Sequence, residues 1–261
     1  MNIMIPNRHG YRLAVQVQGP DHAEPIIFLN ALGTDHGMWQ YQVAELEKDF
    51  RVLTFDTRGH GQSDAMETNS LQDMAEDVID ILDAFSIKKA HICGISIGGL
   101  IGLKLANIAS DRLLSMTLAN TAARIGCAEK WVNQAKTVER KGLTGIVNKM
   151  PRRWFSSGFD YKQDVVAQRS LGMLEKTSAQ GFADACRALA NNNLMPQQES
   201  IQLPCLIIAG AVDPLTRLKD VRDLHARIKH SRLCILDASH LSNIERPQAF
   251  FQIFRLFIRS I

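Results

Sequence analysis

No uncharged apolar run in this chain approaches the length of a membrane span. No spacing of histidine, cysteine and carboxylate matches a metal site, and no glycine-rich loop matches a phosphate cradle, so neither metal nor cofactor is expected. The net charge of +3 is too small to argue for nucleic acid as a partner. Cysteines are few and odd in number, at 93, 127, 186, 205 and 234. Three of them, Cys93, Cys205 and Cys234, lie in apolar strand-like runs, which suits small buried thiols in a reducing compartment better than disulfides. The first residues, Met1 to Arg8, lack the basic start and long apolar core of a secretory signal. A cytoplasmic place is the resulting expectation. Internal repeats and low-complexity segments are absent too.

What is present is a chain of 261 residues with 46% hydrophobic composition, enough for one α/β domain with an insertion. Residues 1 to 18 read as a hairpin, with strands at Ile3 to Ile5 and Tyr11 to Val17. Apolar strands then alternate with helices: Pro25 to Leu29, Met38 to Glu47, Val52 to Phe55, and Ser70 to Phe85, where Ser70 and Asp73 form a capping pair. Lys89 to Cys93 and Leu113 to Ala119 continue the strands, and Cys205 to Ala209 and Arg232 to Leu236 complete them. Helices are expected from Leu218 to Ile228 and from Pro247 onward. Such alternation predicts a mostly parallel sheet covered on both faces, with ligands at the carboxyl ends of its strands. Between Asn120 and Met195 the alternation stops and helical stretches follow one another. That segment is expected to be a cap, dividing the chain into a core of 1–120 and 196–261 and a helical insertion of 121–195.

Gly94-Ile95-Ser96-Ile97-Gly98-Gly99 falls where the elbow strand meets the next helix. A serine there, with glycine two residues away on each side, matches a nucleophile elbow, and the Ile97 N–H at the helix start can face an oxyanion. Five residues of this kind also describe an ordinary glycine-rich turn. A base and an acid raise the signal. Of eight histidines only His240 occupies a loop directly after a late buried strand, and Asp213 follows the strand ending at Gly210. Ser96, Asp213 and His240 thus run in the order nucleophile, acid, base, each after its own strand. Asp237 and Asp56 are the weaker candidates for the acid; Asp237 reads as a salt link or cap. The second oxyanion donor is expected in Asn30 to Asp35, where Gly33 allows a turn that points the Leu32 N–H inward, with Ala31 as the alternative.

With these parts the chain resembles the α/β-hydrolase superfamily over its whole length, and Asp56 to Asp64 resembles the structural loop that superfamily carries after its fourth strand, so His60 is left out of the chemistry. The resemblance implies an eight-stranded α/β-hydrolase fold with a helical cap. Phe28 to Asp35 with Met38-Trp39, Ser239 to Pro247, and Arg153-Trp154-Phe155 further resemble the 3-oxoadipate enol-lactonases of aromatic catabolism in the β-ketoadipate pathway. The chain has Ala31 where serine is expected in that family. This likeness implies a small anionic lactone or ester as substrate, attacked by Ser96, with the anion held by Leu32 and Ile97 and with 3-oxoadipate released through His240. It also implies a cation for the substrate carboxylate, for which Arg153 is the candidate, with Trp154 packing on the ring. A surface arginine and a cap-core tryptophan are the plainer alternative.

The first half of the insertion is basic, with Arg124, Lys130, Lys136, Arg140, Lys141, Lys149, Arg152 and Arg153 against Glu129 and Glu139. This is either a solvated helix face or, in part, a pocket lining that favours anions. Two other functions fit the same residues: an esterase acting on another small or acyl-carrier-linked ester, and a receptor that keeps the triad to hold a ligand. Oligomeric state is not legible in the sequence.

Overall fold

The computed structural model describes residues 2–66, 70–192 and 194–261. An antiparallel hairpin opens the chain, β1 (Ile3–Pro6) and β2 (Arg12–Gln18), paired with Ile3 opposite Val15. There follow β3 (Pro25–Leu29), a 3-10 turn (His36–Trp39), α1 (Gln40–Leu46), β4 (Arg51–Phe55), α2 (Leu71–Ala84), β5 (Ala90–Ile95), α3 (Ile97–Ile108) and β6 (Leu113–Ala119). The helix expected from Met38 is preceded by the 3-10 turn, which Asp35 caps by accepting from the Gly37 N–H at 2.8 Å. Ser70 and Asp73 form the expected capping box on α2, with the Asp73 N–H 3.1 Å from Ser70 Oγ and the Ser70 N–H 2.8 Å from Asp73 Oδ2.

Residues 120–204 contain no strand among those described. They hold α4 (Ala128–Lys141), α5 (Thr144–Val147), α6 (Pro151–Trp154), α7 (Val165–Lys176), α8 (Ala179–Ala190) and a 3-10 stretch (Met195–Ser200). The sheet resumes with β7 (Cys205–Gly210), α9 (Leu218–Arg227) and β8 (Ser231–Leu236), then α10 (Ser242–Glu245) and α11 (Pro247–Ile258). The eight strands lie in the order β1-β2-β4-β3-β5-β6-β7-β8. β2 meets β1 and β4 antiparallel, and every pair from β4 to β8 is parallel.

This order reverses direction at β3, whose chain neighbour β4 lies on one side and β5 on the other. The loops leaving β3 and β5 therefore diverge at the carboxyl edge and open the crevice where such sheets bind ligands. Side chains alternate across the sheet: Ile27 and Leu29 of β3 join a cluster with α2, α3 and α9, while Ile26 and Phe28 join one with α1 and α11. Helix α3 is apolar almost all round, as a helix buried between sheet and neighbours must be. Val138, Trp154, Val166, Leu174 and Phe182 of the helical segment belong to the second cluster, so its core is continuous with one face of the sheet.

Candidate active site

Strand register sets the site. Ile95 pairs with Ala119, Ala119 with Ile208, and Gly210 with Leu236, so β5 to β8 end nearly level. Ser96 and Asn120 come one residue after their strands, while Asp213 and His240 follow theirs by a short loop. Four residues far apart in sequence come to one edge.

Ser96 has φ 58 and ψ −118, a left-handed conformation that a residue with a Cβ adopts at a cost of about 1–3 kcal/mol. Its surroundings over-determine it. The Ser96 N–H donates to Ala119 O at 3.1 Å, and its carbonyl accepts from the Gly99 and Leu100 N–H groups and from Thr121 Oγ1 at 2.7 Å. A Cβ on Gly94 would stand 2.3 Å from Gly98 O, and one on Gly98 would stand 2.2 Å from Leu29 O. The glycines at both flanks are thus required by close backbone approach. Ser96 makes no side-chain cap on α3, which leaves its hydroxyl available for chemistry.

Asp213 and His240 are buried together, and His240 Nδ1 lies 2.8 Å from Asp213 Oδ2. An ionised carboxylate only accepts, so the ring proton sits on Nδ1 and Nε2 is left as the basic nitrogen. Asp213 Oδ2 also accepts from Thr216 Oγ1 at 2.6 Å and Asn120 Nδ2 at 3.1 Å, and Oδ1 accepts from the N–H groups of Leu215 and Thr216. Burial raises the Asp213 pKa, but the His240 charge and the hydrogen bonds of His240, Thr216 and Asn120 outweigh it and hold the carboxyl below its ordinary value. No hydrogen bond joins the Ser96 hydroxyl to the His240 ring. In resting sites of this kind that contact is commonly long and tightens with the acyl group in place.

On the β3 side, the Ala31 N–H donates to Met38 Sδ at 3.3 Å, whereas the N–H groups of Leu32 and Ile97 have no hydrogen-bond partner among the described residues. Gly33 turns the chain at φ 80. Of the two loop donors open on sequence grounds, Leu32 is the one left free. A hydroxyl in a strained turn, a ring held by a buried carboxylate and two unpaired N–H groups can together perform acyl transfer.

Arg153 and Trp154 reach this edge through their backbone. The Leu241 N–H donates to Trp154 O at 3.0 Å and Ser239 Oγ to Arg153 O at 3.2 Å. The Arg153 side chain is exposed and forms no ion pair among the described residues, and Trp154 is buried in the second apolar cluster, as a cap-core tryptophan is. The other seven cations of the basic segment, from Arg124 to Arg152, are exposed as well, the pattern of a solvated face. Of the weaker acids, Asp237 is exposed beside Arg246 at 3.5 Å, and Asp56 is taken by His36 at 2.6 Å. Burial pushes the thiols of Cys93 and Cys205 well up, so neither offers a thiolate near Ser96.

Two clusters bring three potential metal-ligand atoms together, His9 with Asp73 and Glu76, and Asp35 with His36 and Asp56. Their oxygens already serve the protein: Asp73 Oδ2 accepts from Ser70, Asp35 Oδ1 from Gly37, and Asp56 Oδ1 from His36. Sequence reasoning did not single out Asn120, Thr121, Thr216 or Glu245. Asn120 had a usable signal, its place immediately after a buried strand.

Residues 24–141 match the family described as alpha/beta hydrolase fold. The chain is 51% identical over 260 residues to 3-oxoadipate enol-lactonase 1 of Acinetobacter baylyi, covering 100% of this chain and 98% of that one. It is 42% identical over 226 residues to 3-oxoadipate enol-lactonase 2 of the same organism, covering 86% and 85%. The solved enol-lactonase of Burkholderia xenovorans LB400 superposes with a TM-score of 0.95 at 36% identity, covering 98% of this chain and all of that one.

Proposed function

From the premise that the chain belongs to the α/β-hydrolase family, we propose that it opens the lactone of 3-oxoadipate enol-lactone to give 3-oxoadipate, through Ser96, His240 and Asp213. It is a carboxylic ester hydrolase, and the substrate is the new element. The observation that carries the reading is the 51% identity to an enol-lactonase in an alignment that runs through the helical segment as well as the sheet. We take residues 121–195 as a cap over the carboxyl edge, and the cytoplasm as the place of action. Among the described residues no helix is long and apolar enough to cross a membrane.

Ser96 Oγ attacks the ring carbonyl as His240 Nε2 takes its proton, and Asp213 stabilises the imidazolium that forms. The tetrahedral oxygen carries the negative charge and accepts from the Leu32 and Ile97 N–H groups, each worth about 10²- to 10³-fold in rate. Collapse breaks the ring C–O bond. The enol oxygen takes the proton from His240, and the enol becomes a ketone within the acyl chain. Water then adds to the acyl-enzyme with His240 again as base, and Ser96 is regenerated as the acid leaves. Arg153 remains the proposed partner of the substrate carboxylate, since its guanidinium is not committed to an ion pair among the described residues.

Turnover of freshly generated enol-lactone tests the reading, beside p-nitrophenyl acetate and with Ser96→Ala as control. The expected kcat/KM is about 10⁴ to 10⁸ M⁻¹s⁻¹, lost in the variant. Hydrolysis of the simple ester alone would keep the triad and remove the lactone. Retention of a ligand without turnover would favour a binding role.

A further inference from the structure

Glu245 ends the one-turn helix after the His240 loop and is 3% exposed. No ion pair neutralises it among the described residues, and the neighbouring Arg246 guanidinium is turned to Asp237. A carboxylate out of water is costly unless its oxygens are filled by donors. Here they are filled from two directions. Glu245 Oε2 accepts from the Ser239 N–H at 2.9 Å and the Ser156 N–H at 3.1 Å, and Oε1 accepts a short hydrogen bond from Ser156 Oγ. Ser239 immediately precedes His240. Ser156 follows α6 in the helical segment, two residues after Trp154.

The same junction carries two further bonds, from Ser239 Oγ to Arg153 O and from the Leu241 N–H to Trp154 O. Both chain neighbours of His240 are therefore fastened to residues 153–156. Of the groups that make this seam, Glu245 is the one carboxylate, and it alone bonds to both sides through its side chain. Hydrogen bonds to charged acceptors are about twice as strong as neutral ones.

We propose that Glu245 is a positioning residue for His240, its buried carboxylate tying the base's loop to residues 153–156 so that the base keeps its place only while that segment is seated. The inference rests on the reading of His240 as the base. The seam also gives the helical segment a route to the chemistry: a displacement of Ser156 is passed to Ser239 through one carboxylate.

The test compares Glu245→Ala, Glu245→Gln and Ser156→Ala with the parent chain on enol-lactone and on p-nitrophenyl acetate, with thermal melting of each. Misplacement of a catalytic group by 1 Å can cost about 10²-fold, so Glu245→Ala is expected to lose roughly 10- to 100-fold in kcat with KM within about twofold. Gln keeps one accepting oxygen for both N–H groups, and its amide faces a serine hydroxyl that can turn to accept. It is expected to recover kcat to within about threefold of the parent. Ser156→Ala, at a half-buried position, is expected to fold and to lose kcat in the same direction. A purely structural role would lower melting temperature and leave kcat of the folded fraction unchanged, and that result overturns the proposal. So does Gln behaving as Ala does. If Glu245→Ala fails to fold, the kcat of Ser156→Ala decides. A parent that cleaves only the simple ester removes the lactone reading and still allows this test, whereas full activity of Ser96→Ala on that ester removes the premise itself.

Discussion

Asn120 Nδ2 lies 3.1 Å from Asp213 Oδ2 and 3.0 Å from Ser239 O, so one amide at the end of β6 holds both Asp213, the proposed acid, and the residue before His240, the proposed base. Its own oxygen accepts from Ser242 Oγ at 2.5 Å, and its backbone adopts φ 43, a conformation that asparagine tolerates better than most residues. Asn120→Ala removes a donor from a buried carboxylate and leaves Ser239 O and Ser242 Oγ short of a partner. Hydrogen bonds to charged groups are worth about 1.5–3 kcal/mol, and a kcat loss of roughly 10- to 100-fold is expected with a drop in unfolding free energy, read by steady-state kinetics and urea denaturation.

Asp213→Asn should act on His240, the proposed base, rather than on the fold. The amide can present its NH₂ to His240 Nδ1, which places the ring proton on Nε2, the wrong nitrogen for a base. A fall of about 10⁴ in kcat is expected from the known effect of this exchange in a serine triad. The pH dependence has a definite sign. The Asp213 pKa in the folded chain is below its ordinary 3.8, so its contribution to stability is present above that pH and is lost as pH falls through the folded value. The stability difference between parent and Asp213→Asn should therefore shrink on acidification below about pH 4, as followed by melting temperature.

The placement of Ser96, Asp213 and His240 was legible in the sequence because each stands just after a strand that announces itself by apolar composition, and the parallel sheet brings those ends to one edge. The glycines around Ser96 were legible as a pattern, and the close backbone approach that demands them is visible only in the structure. The contacts of Asn120 and Glu245 were not legible, because they depend on which loop crosses which, and composition does not encode that. The choice between Leu32 and Ala31 turned on a single contact, Met38 Sδ to the Ala31 N–H, formed by a residue seven positions away. The basic segment was visible as charge, but the exposure of its longest helix, α4, is decided by the face it buries against α8.

His36 anchors the loop that carries Leu32. Its N–H and its Nδ1 both meet Asp56 Oδ1, at 2.9 and 2.6 Å, and a Cβ on Gly61 would stand 2.2 Å from the other Asp56 oxygen. Burial lowers the His36 pKa, but the hydrogen bond and charge of Asp56, with Asp35 adding to them, raise it above the ordinary 6.5. A raised histidine stabilises the fold fully below its unfolded pKa and loses that contribution as pH rises through the folded one. His36→Gln should accordingly lower the melting temperature more at about pH 5.5 than at about pH 9. Equal losses at both values would show that the imidazolium is not what holds the loop.

Two glycines of α3, four residues apart, should respond in opposite ways to alanine. At Gly102 the added Cβ would meet Ile92, Leu118 and Leu29 side chains at 3.6 to 3.9 Å, ordinary contacts, and alanine removes the entropic cost of glycine inside a helix. That is worth about 0.8–1 kcal/mol, or roughly 2–4 °C in a chain of this size, so Gly102→Ala should melt higher and keep its activity. At Gly98 the Cβ would meet Leu29 O at 2.2 Å and Asn30 O at 2.8 Å, backbone atoms that cannot swing aside. Relief requires the start of α3 and the exit of β3 to part. Those two segments carry the Ile97 and Leu32 N–H groups, whose spacing must match one oxygen in the proposed mechanism, so Gly98→Ala should lose kcat even in whatever fraction folds. Measuring kcat per folded molecule alongside the melt separates these effects, and a Gly98→Ala protein with parental kcat would show that the oxyanion lies elsewhere.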